Sequence, residues 1–162
     1  MLERRLLDTL LDRWEAAWSG RDGQAFAPLC VTSVQYEDPL TPEPLIGAAA
    51  IAAHAQRLWT GFPDVRMQSA GQRLQGERFI AAPVKVSGTH SERLGDIPAT
   101  NRPLIAHGVF YCELEHDLLL RVRGFYDVWG SAVDLGVLPK SGTASARALF
   151  MLRGFGLRGG RD

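Results

Sequence analysis

The feature that most narrows the folds open to this chain is a pair of alternating runs on either side of Glu115-His116-Asp117. Leu104, Ala106, Gly108, Phe110, Cys112 and Leu114 occupy even positions before it, and Leu120, Val122, Gly124, Tyr126 and Val128 do so after it. The odd positions hold Ile105, His107, Val109, Tyr111 and Glu113, then Arg121, Arg123, Phe125, Asp127 and Trp129. A period of two sends successive side chains to opposite faces of a strand, so the pattern predicts a long antiparallel hairpin with two unlike faces. The small, apolar even face suits packing under helices or against a second subunit. The odd face mixes ionisable and aromatic groups, as the lining of a ligand pocket does.

Pairing the two strands about Asp117 sets His107 opposite Asp127, Val109 opposite Phe125 and Tyr111 opposite Arg123. A slip of one residue would send the imidazole and the carboxylate to opposite faces, and the turn lacks the Asn-Gly or Asp-Gly pair that pins a tight hairpin. An apolar pocket disfavours a carboxylate's charge and a neighbouring imidazolium favours it, so such a pair titrates as a unit. It can take a proton from a carbon acid or return one to an alkoxide. The same residues also suit a satisfied sheet histidine and an aspartate that merely ends a strand.

Upstream of the hairpin the period changes. Leu2, Leu6, Leu7, Leu10, Leu11, Trp14, Ala17 and Trp18 recur every three or four residues, which predicts an amphipathic helix closed by Gly20. Asp22 can cap a short second helix to about Leu29, limited by Pro28. Cys30 to Asp38 reads as a strand halted by Pro39, Pro42 and Pro44, and a third helix runs from about Ala48 to Thr60. Strand-type runs follow at Val65 to Gln75 and Arg78 to His90. Helices first and strands afterwards predict an α+β domain, with N-terminal helices packed on a curved antiparallel sheet and enclosing a cavity.

The 162 residues, 46% of them apolar, are enough for one buried core. Eighteen basic and eighteen acidic side chains cancel, which leaves no electrostatic footprint for nucleic acid or an anionic membrane. The chain has neither a signal-peptide pattern nor a stretch of the ~20 apolar residues that spans a bilayer. Cys30 and Cys112 read as buried thiols, which fits a cytoplasmic protein. His54, His90, His107 and His116 form no metal-ligand spacing and no Gly-X-Gly-X-X-Gly cradle occurs, so neither metal nor cofactor is expected. His54, in the alanine-rich helix, reads as a core or surface residue. Residues 1–139 read as the domain and residues 140–162 as a basic extension, partly helical from Ala144 to Leu152 and frayed at its end. That extension carries Lys140, Arg147, Arg153, Arg158 and Arg161 against Asp162 alone.

Several short pieces then stand in a familiar order: Phe62-Pro63-Asp64 after the third helix, Gly88-Thr89-His90 at a strand end, Pro98-Ala99-Thr100-Asn101-Arg102-Pro103 opening the next strand, Tyr126-Asp127, and Leu135-Gly136-Val137-Leu138-Pro139. From about Leu6 to Pro139 the chain resembles the SnoaL-like polyketide cyclase and ester cyclase family. The resemblance implies the cone-shaped nuclear-transport-factor-2-like fold, a homodimer, and ring closure by intramolecular aldol condensation without metal or cofactor. It makes Asp127 the acid/base residue and His107 its cavity partner. His90, Tyr36, Asp38, Trp59, Phe62, Val109, Tyr111, Arg123, Phe125 and Trp129 are then expected to line the cavity or bind a small polyketide-like or aromatic carbonyl compound. Thr100-Asn101-Arg102 stands where the family has Thr-Gly-Arg, His116-Asp117 where it has Asp-Gly, and Ser91-Glu92-Arg93 where it has a glycine. These departures sit in loops and bear on the substrate. Two other functions remain open: a limonene-type epoxide hydrolase using Asp38, Arg123 and Asp127 around a water, and a domain that binds a ligand or a second copy without turnover.

Overall fold

The leucine stripe forms α1 (Arg4–Gly20) in the computed structural model, which describes residues 4–156. Its spacing gathers Leu7, Leu10, Leu11, Trp14, Ala17 and Trp18 on one buried face. Leu2 and the expected frayed end at 157–162 lie outside the described residues. Asp22 does cap the next segment, accepting from the Gln24 N–H at 2.9 Å. That segment is not one helix but two 3-10 turns, Gly23–Ala25 and Ala27–Leu29, because Pro28 has no N–H for a continuing α-helix.

After these come β1 (Cys30–Glu37), β2 (Leu45–Ile46) and α2 (Ala48–Gly61). The run expected as one strand from Val65 divides into β3 (Arg66–Ser69) and β4 (Leu74–Gln75), both paired with β5 (Phe79–Thr89). Pro83 explains the break. Its carbonyl accepts from Ala70 N–H, so its missing N–H falls on that same edge and the ladder cannot continue there. The hairpin strands are β6 (Pro103–Glu115) and β7 (Leu118–Tyr126); α3 (Val128–Asp134) and α4 (Ala144–Gly156) follow.

The seven-stranded sheet has the order β2-β1-β7-β6-β5-β3, with β4 on β5. It is curved and unclosed, and the α+β class is as expected. The sheet is antiparallel except at β1, which lies parallel to β7, a pairing open to it because all the intervening elements separate the two strands. The hairpin register agrees with the alternation: Val109 pairs with Phe125 and Tyr111 with Arg123. His116 and Asp117 make the turn with φ of 47° and 66°, which alone would set a register one residue different, as Glu115 with Leu118 shows. A bulge between Leu119 and Arg121 restores the expected pairing.

The even face packs under the helices as expected, but it also lines the cavity, and the mixed odd face expected to do so lies outside. Ala106, Phe110, Cys112, Leu114, Leu119 and Val122 are buried beneath α1 and α2, whereas Ile105, Val109 and Phe125 are 54%, 37% and 57% exposed on the outside. The reason is the aromatic core. Trp14 packs edge-on against Phe26 and Phe110, with ring centroids 5.1 and 5.8 Å away, and only the apolar even face can cover such a cluster without burying charge. Two glycines on that face also make room for an aromatic ring, since a Cβ at Gly108 or Gly124 would lie 2.5 or 2.8 Å from the Tyr126 ring. Their lack of a side chain lets Tyr126 lie across the strands. Cys30 and Cys112 are free and buried, and burial pushes the Cys30 thiol up to about 12.

Candidate active site

Where the helices leave the far end of the sheet uncovered, a cavity of about 220 Å³ opens. Trp18 of α1, Trp59 and Phe62 of α2, Val86 of β5, Leu104 and Ala106 of β6, and Leu135 beyond α3 make its wall almost wholly apolar. Besides Ser87 and Ser131, its polar groups converge: Tyr36 from the end of β1, Asp38 from the turn after it, and Tyr126 from the end of β7. An apolar cavity with a few convergent polar groups is the usual form of a small-molecule site.

Local sequence puts Asp38 there. Strand alternation turns Val34 and Tyr36 inward, and Pro39 then stops the strand. In the resulting turn Asp38 Oδ1 accepts from the Leu40 N–H at 2.7 Å, while the Asp38 carbonyl accepts from the Thr41 N–H and hydroxyl at 3.1 and 2.9 Å. The carboxylate is thereby folded back over the cavity. Its Oδ2 accepts from the Tyr36 hydroxyl at 2.7 Å and lies 2.8 Å from His54 Nε2. Their side chains are 2% (His54) and 4% (Asp38) exposed. His54 reaches this point because it shares the inward stripe of α2 with Ile51, Ala55 and Trp59. Its Nδ1 stands 2.9 Å from Arg57 Nη2.

Burial works against charge on Asp38, but hydrogen bonds to His54 and Tyr36, the electrostatic attraction of His54 and the Leu40 N–H together outweigh it and hold the carboxyl below its ordinary 3.8. Burial first, then Tyr126 and Asp38 in the case of Tyr36 and Asp38 in the case of Tyr126, pushes both phenols well above 10, so both remain donors. A carboxyl depressed by folding contributes stability above its unfolded value, and that contribution is lost as the pH falls through its folded value. We therefore expect the wild-type protein to lose stability relative to Asp38→Asn below about pH 5, read as urea midpoints across an acid series. Parallel midpoints would mean the carboxyl is not held in this way.

The sequence model of the SnoaL-like polyketide cyclase family matches residues 8–135. The chain belongs to this family. No curated protein matches it by sequence. Among solved structures, TsrD from Streptomyces laurentii is similar at 20% identity and a TM-score of 0.75, over 85% of this chain and 100% of that one. A proposed SnoaL-like polyketide cyclase from Jannaschia sp. gives 12% and 0.75 over 86% and 97%. IdmH from Streptomyces antibioticus, a proposed polyketide cyclase, gives 17% and 0.70 over 80% and 98%. At these identities the likeness to the SnoaL-like structures is one of fold.

Within this SnoaL-like frame the residues expected at the site divide. Tyr36, Asp38, Trp59 and Phe62 line the cavity. His90 is fully buried behind it: its ring stacks on Phe62 at 5.2 Å and its Nδ1 lies 3.1 Å from the Thr100 hydroxyl. The expected pair is the main correction. His107 and Asp127 are opposite one another, with the Asp127 N–H donating to the His107 carbonyl at 3.4 Å, but on the outer, exposed face. Asp127 spends Oδ1 on the Gly130 N–H at 2.8 Å, capping α3. Val109, Tyr111, Phe125 and Trp129 are likewise outside the cavity, Tyr111 stacking on Phe79 at 5.7 Å. Arg123 pairs with Glu37 and, with Phe125, borders an outer groove of about 430 Å³ that Asp38 also lines. Asp38 and Arg123 both line that groove, but Asp127 caps a helix and lines neither the groove nor the cavity, so the three-residue epoxide-hydrolase set is not assembled. The even-position rule could have found Tyr126, and the three- and four-residue spacing from Ile51 to Trp59 could have found His54. A polar residue on an apolar stripe needs a buried partner.

Among the described residues no helix is long and apolar enough to cross a membrane, and no group of three or more His, Cys, Asp or Glu is placed to hold a metal ion.

Proposed function

We propose that this SnoaL-like family member is a cofactor-independent acid/base catalyst that acts on a small polyketide-like or aromatic carbonyl compound, with ring closure of the aldol type as its reaction. The observation that carries the reading is Asp38: a carboxylate held ionised by Tyr36 and His54 at the wall of an otherwise apolar cavity. A carboxylate has about four lone-pair sites, and the hydrogen bonds from Tyr36, His54 and Leu40 leave one on Oδ1 for a substrate proton. Asp38 removes a proton from a carbon between two carbonyls, and the electron pair moves onto the carbonyl oxygen. Tyr126 suits the developing enolate, since among the described residues its protonated hydroxyl has no hydrogen-bond partner. The enolate carbon then attacks a second carbonyl of the same molecule, forming the ring bond, and the Asp38 acid returns its proton to the new alkoxide. The cavity of about 220 Å³ suits one or two rings, since roughly 150 Å³ accommodates a benzene. The first half-reaction has its own assay: in deuterium oxide, small cyclic and aromatic 1,3-dicarbonyl compounds exchange at the activated carbon faster with the protein than without it. Saturable binding with no exchange would favour a ligand-binding domain instead.

A homodimer is part of the same proposal, with the interface on the outer rather than the inner face of the sheet. Ile105, Val109, Phe125 and Trp129 leave apolar surface exposed there, which a second copy would cover. Val109→Glu with Phe125→Glu should give a monomeric mass by light scattering at micromolar concentration where the unmodified chain is dimeric. A monomeric unmodified chain would refute the interface. The two free thiols fit a reducing cytoplasm.

A further inference from the structure

Arg57 lies on the exposed side of α2, three residues beyond His54, and the proposed reaction makes no use of it. A guanidinium carries only N–H donors, so the 2.9 Å contact from Arg57 Nη2 to His54 Nδ1 has one polarity: Nδ1 accepts and bears no proton. The proton of a neutral imidazole must then sit on Nε2, which donates to Asp38 Oδ2 at 2.8 Å. Tyr36 donates to the same oxygen. Had Nδ1 faced water, the natural partner of a buried carboxylate would be an imidazolium, protonated on both nitrogens. A doubly protonated ring would place a cation against Arg57 and would hold the Asp38 charge far more tightly, leaving a poorer base.

We propose that Arg57 is a positioning residue that acts through His54, keeping the imidazole neutral with its proton on Nε2 so that Asp38 is hydrogen-bonded rather than neutralised by an ion pair. The inference rests on the assignment of Asp38 as the base, and it adds a surface cation as the group that sets the state of the buried pair. The charged or titratable groups facing His54 are few. Asp38 and Tyr36 face it from β1 and the turn after it, and Arg57 from its own helix. β2 and the turn Gly23–Ala25, which also pack on α2, contain no titratable side chain, and α1 meets α2 through Trp18 and Trp59. Nothing else in these elements competes with Arg57 for Nδ1.

Substrate is not needed to test this. Nitrogen-15 NMR of the labelled protein at about pH 6, close to where a free imidazole is half-protonated, reads each ring nitrogen of His54 separately. The expected wild-type pattern is an unprotonated, pyridine-type Nδ1 and a protonated, pyrrole-type Nε2. Arg57→Met, which keeps the length of the side chain and loses every donor, should move Nδ1 to the pyrrole-type range, with both nitrogens protonated. Arg57→Lys, which restores a cationic donor, should return Nδ1 toward its wild-type resonance. A merely structural role would shift neither nitrogen selectively. An Nδ1 that is protonated in the wild type, or one unmoved in Arg57→Met, overturns the proposal. Because Arg57 is exposed, a correctly folded variant is expected, and an unchanged amide spectrum away from α2 checks it. The outcome is independent of turnover. If Arg57→Met shifts His54 while Asp38→Asn still exchanges substrate protons, the positioning is right and the base is misassigned; the reverse pattern faults only Arg57.

Discussion

Asp38→Asn is expected to lower proton exchange and turnover on the order of 10²–10⁴-fold while leaving the fold intact, because a general base contributes about that much and the amide keeps the same shape. Asparagine has a single amide oxygen, so it keeps either the Leu40 N–H contact or those from Tyr36 and His54 but not both, while the Thr41 N–H and hydroxyl still donate to the residue-38 carbonyl and hold the turn. What it cannot do is take a proton. The informative comparison is Asp127→Asn. That aspartate lies outside the cavity and accepts from the Gly130 N–H, so its loss should cost no more than about 1 kcal/mol of local stability and leave the exchange rate within a few-fold. Both variants belong in one assay with thermal melts alongside. If Asp127→Asn were the variant that lost activity and Asp38→Asn kept it, Asp38 would not be the base and the outer face would hold the chemistry.

The contrast between these two aspartates separates what is legible in the sequence from what is not. Alternation from Leu104 to Val128 carries the hairpin and its register, because period-two patterning is local and the bulge at Leu119 to Arg121 happens to correct the turn. Which face of that hairpin is inside is a different kind of question. It depends on the helices packed against the sheet, and Trp14, Trp18 and Phe26 fill their side of the interface so completely that only the small apolar face fits. The mixed face resembles a pocket because its composition is that of a pocket, but partly exposed sheets carry the same mixture.

The family fragments stand apart in the sequence, and the structure gives them a common physical role at the cavity mouth. Asp64 accepts from the Thr89 N–H and hydroxyl at 2.7 and 2.9 Å, tying the end of α2 to the end of β5. His90 then exchanges backbone hydrogen bonds with Arg102 and Asn101 at 3.0 and 2.8 Å. Each of these contacts is made by residues within or beside a short fragment, so the fragments are visible as motifs. The Asp38–His54 pair joins the end of a strand to the middle of a helix, and nothing in the spacing between them announces it. Only the demand that a buried imidazole find a partner could have done so.

Trp14→Ala should be the most destabilising single truncation in the helical layer, costing about 3–5 kcal/mol. The indole is fully buried, and its ring centroid lies 5.1 to 6.1 Å from those of Trp18, Phe26, Tyr36 and Phe110. Alanine would leave a hole between α1 and the sheet that four rigid rings cannot close without losing contact with one another, and a rigid surrounding raises the cost of a cavity. For a chain of this size such a loss lowers the melting temperature by roughly 10 °C. Trp14→Phe should cost much less, since it keeps most of the ring and removes an indole N–H that has no hydrogen-bond partner in the described structure. Phe150→Ala, at a site 60% exposed, should stay within about 0.5 kcal/mol and serves as the control. The cluster also ties stability to chemistry. Tyr36 is held by Trp14 on one side and donates to Asp38 on the other, so the alanine variant should lose catalytic rate even at temperatures where it remains folded. A Trp14→Ala protein that melts within a few degrees of the wild type would mean that the aromatic cluster does not carry the core.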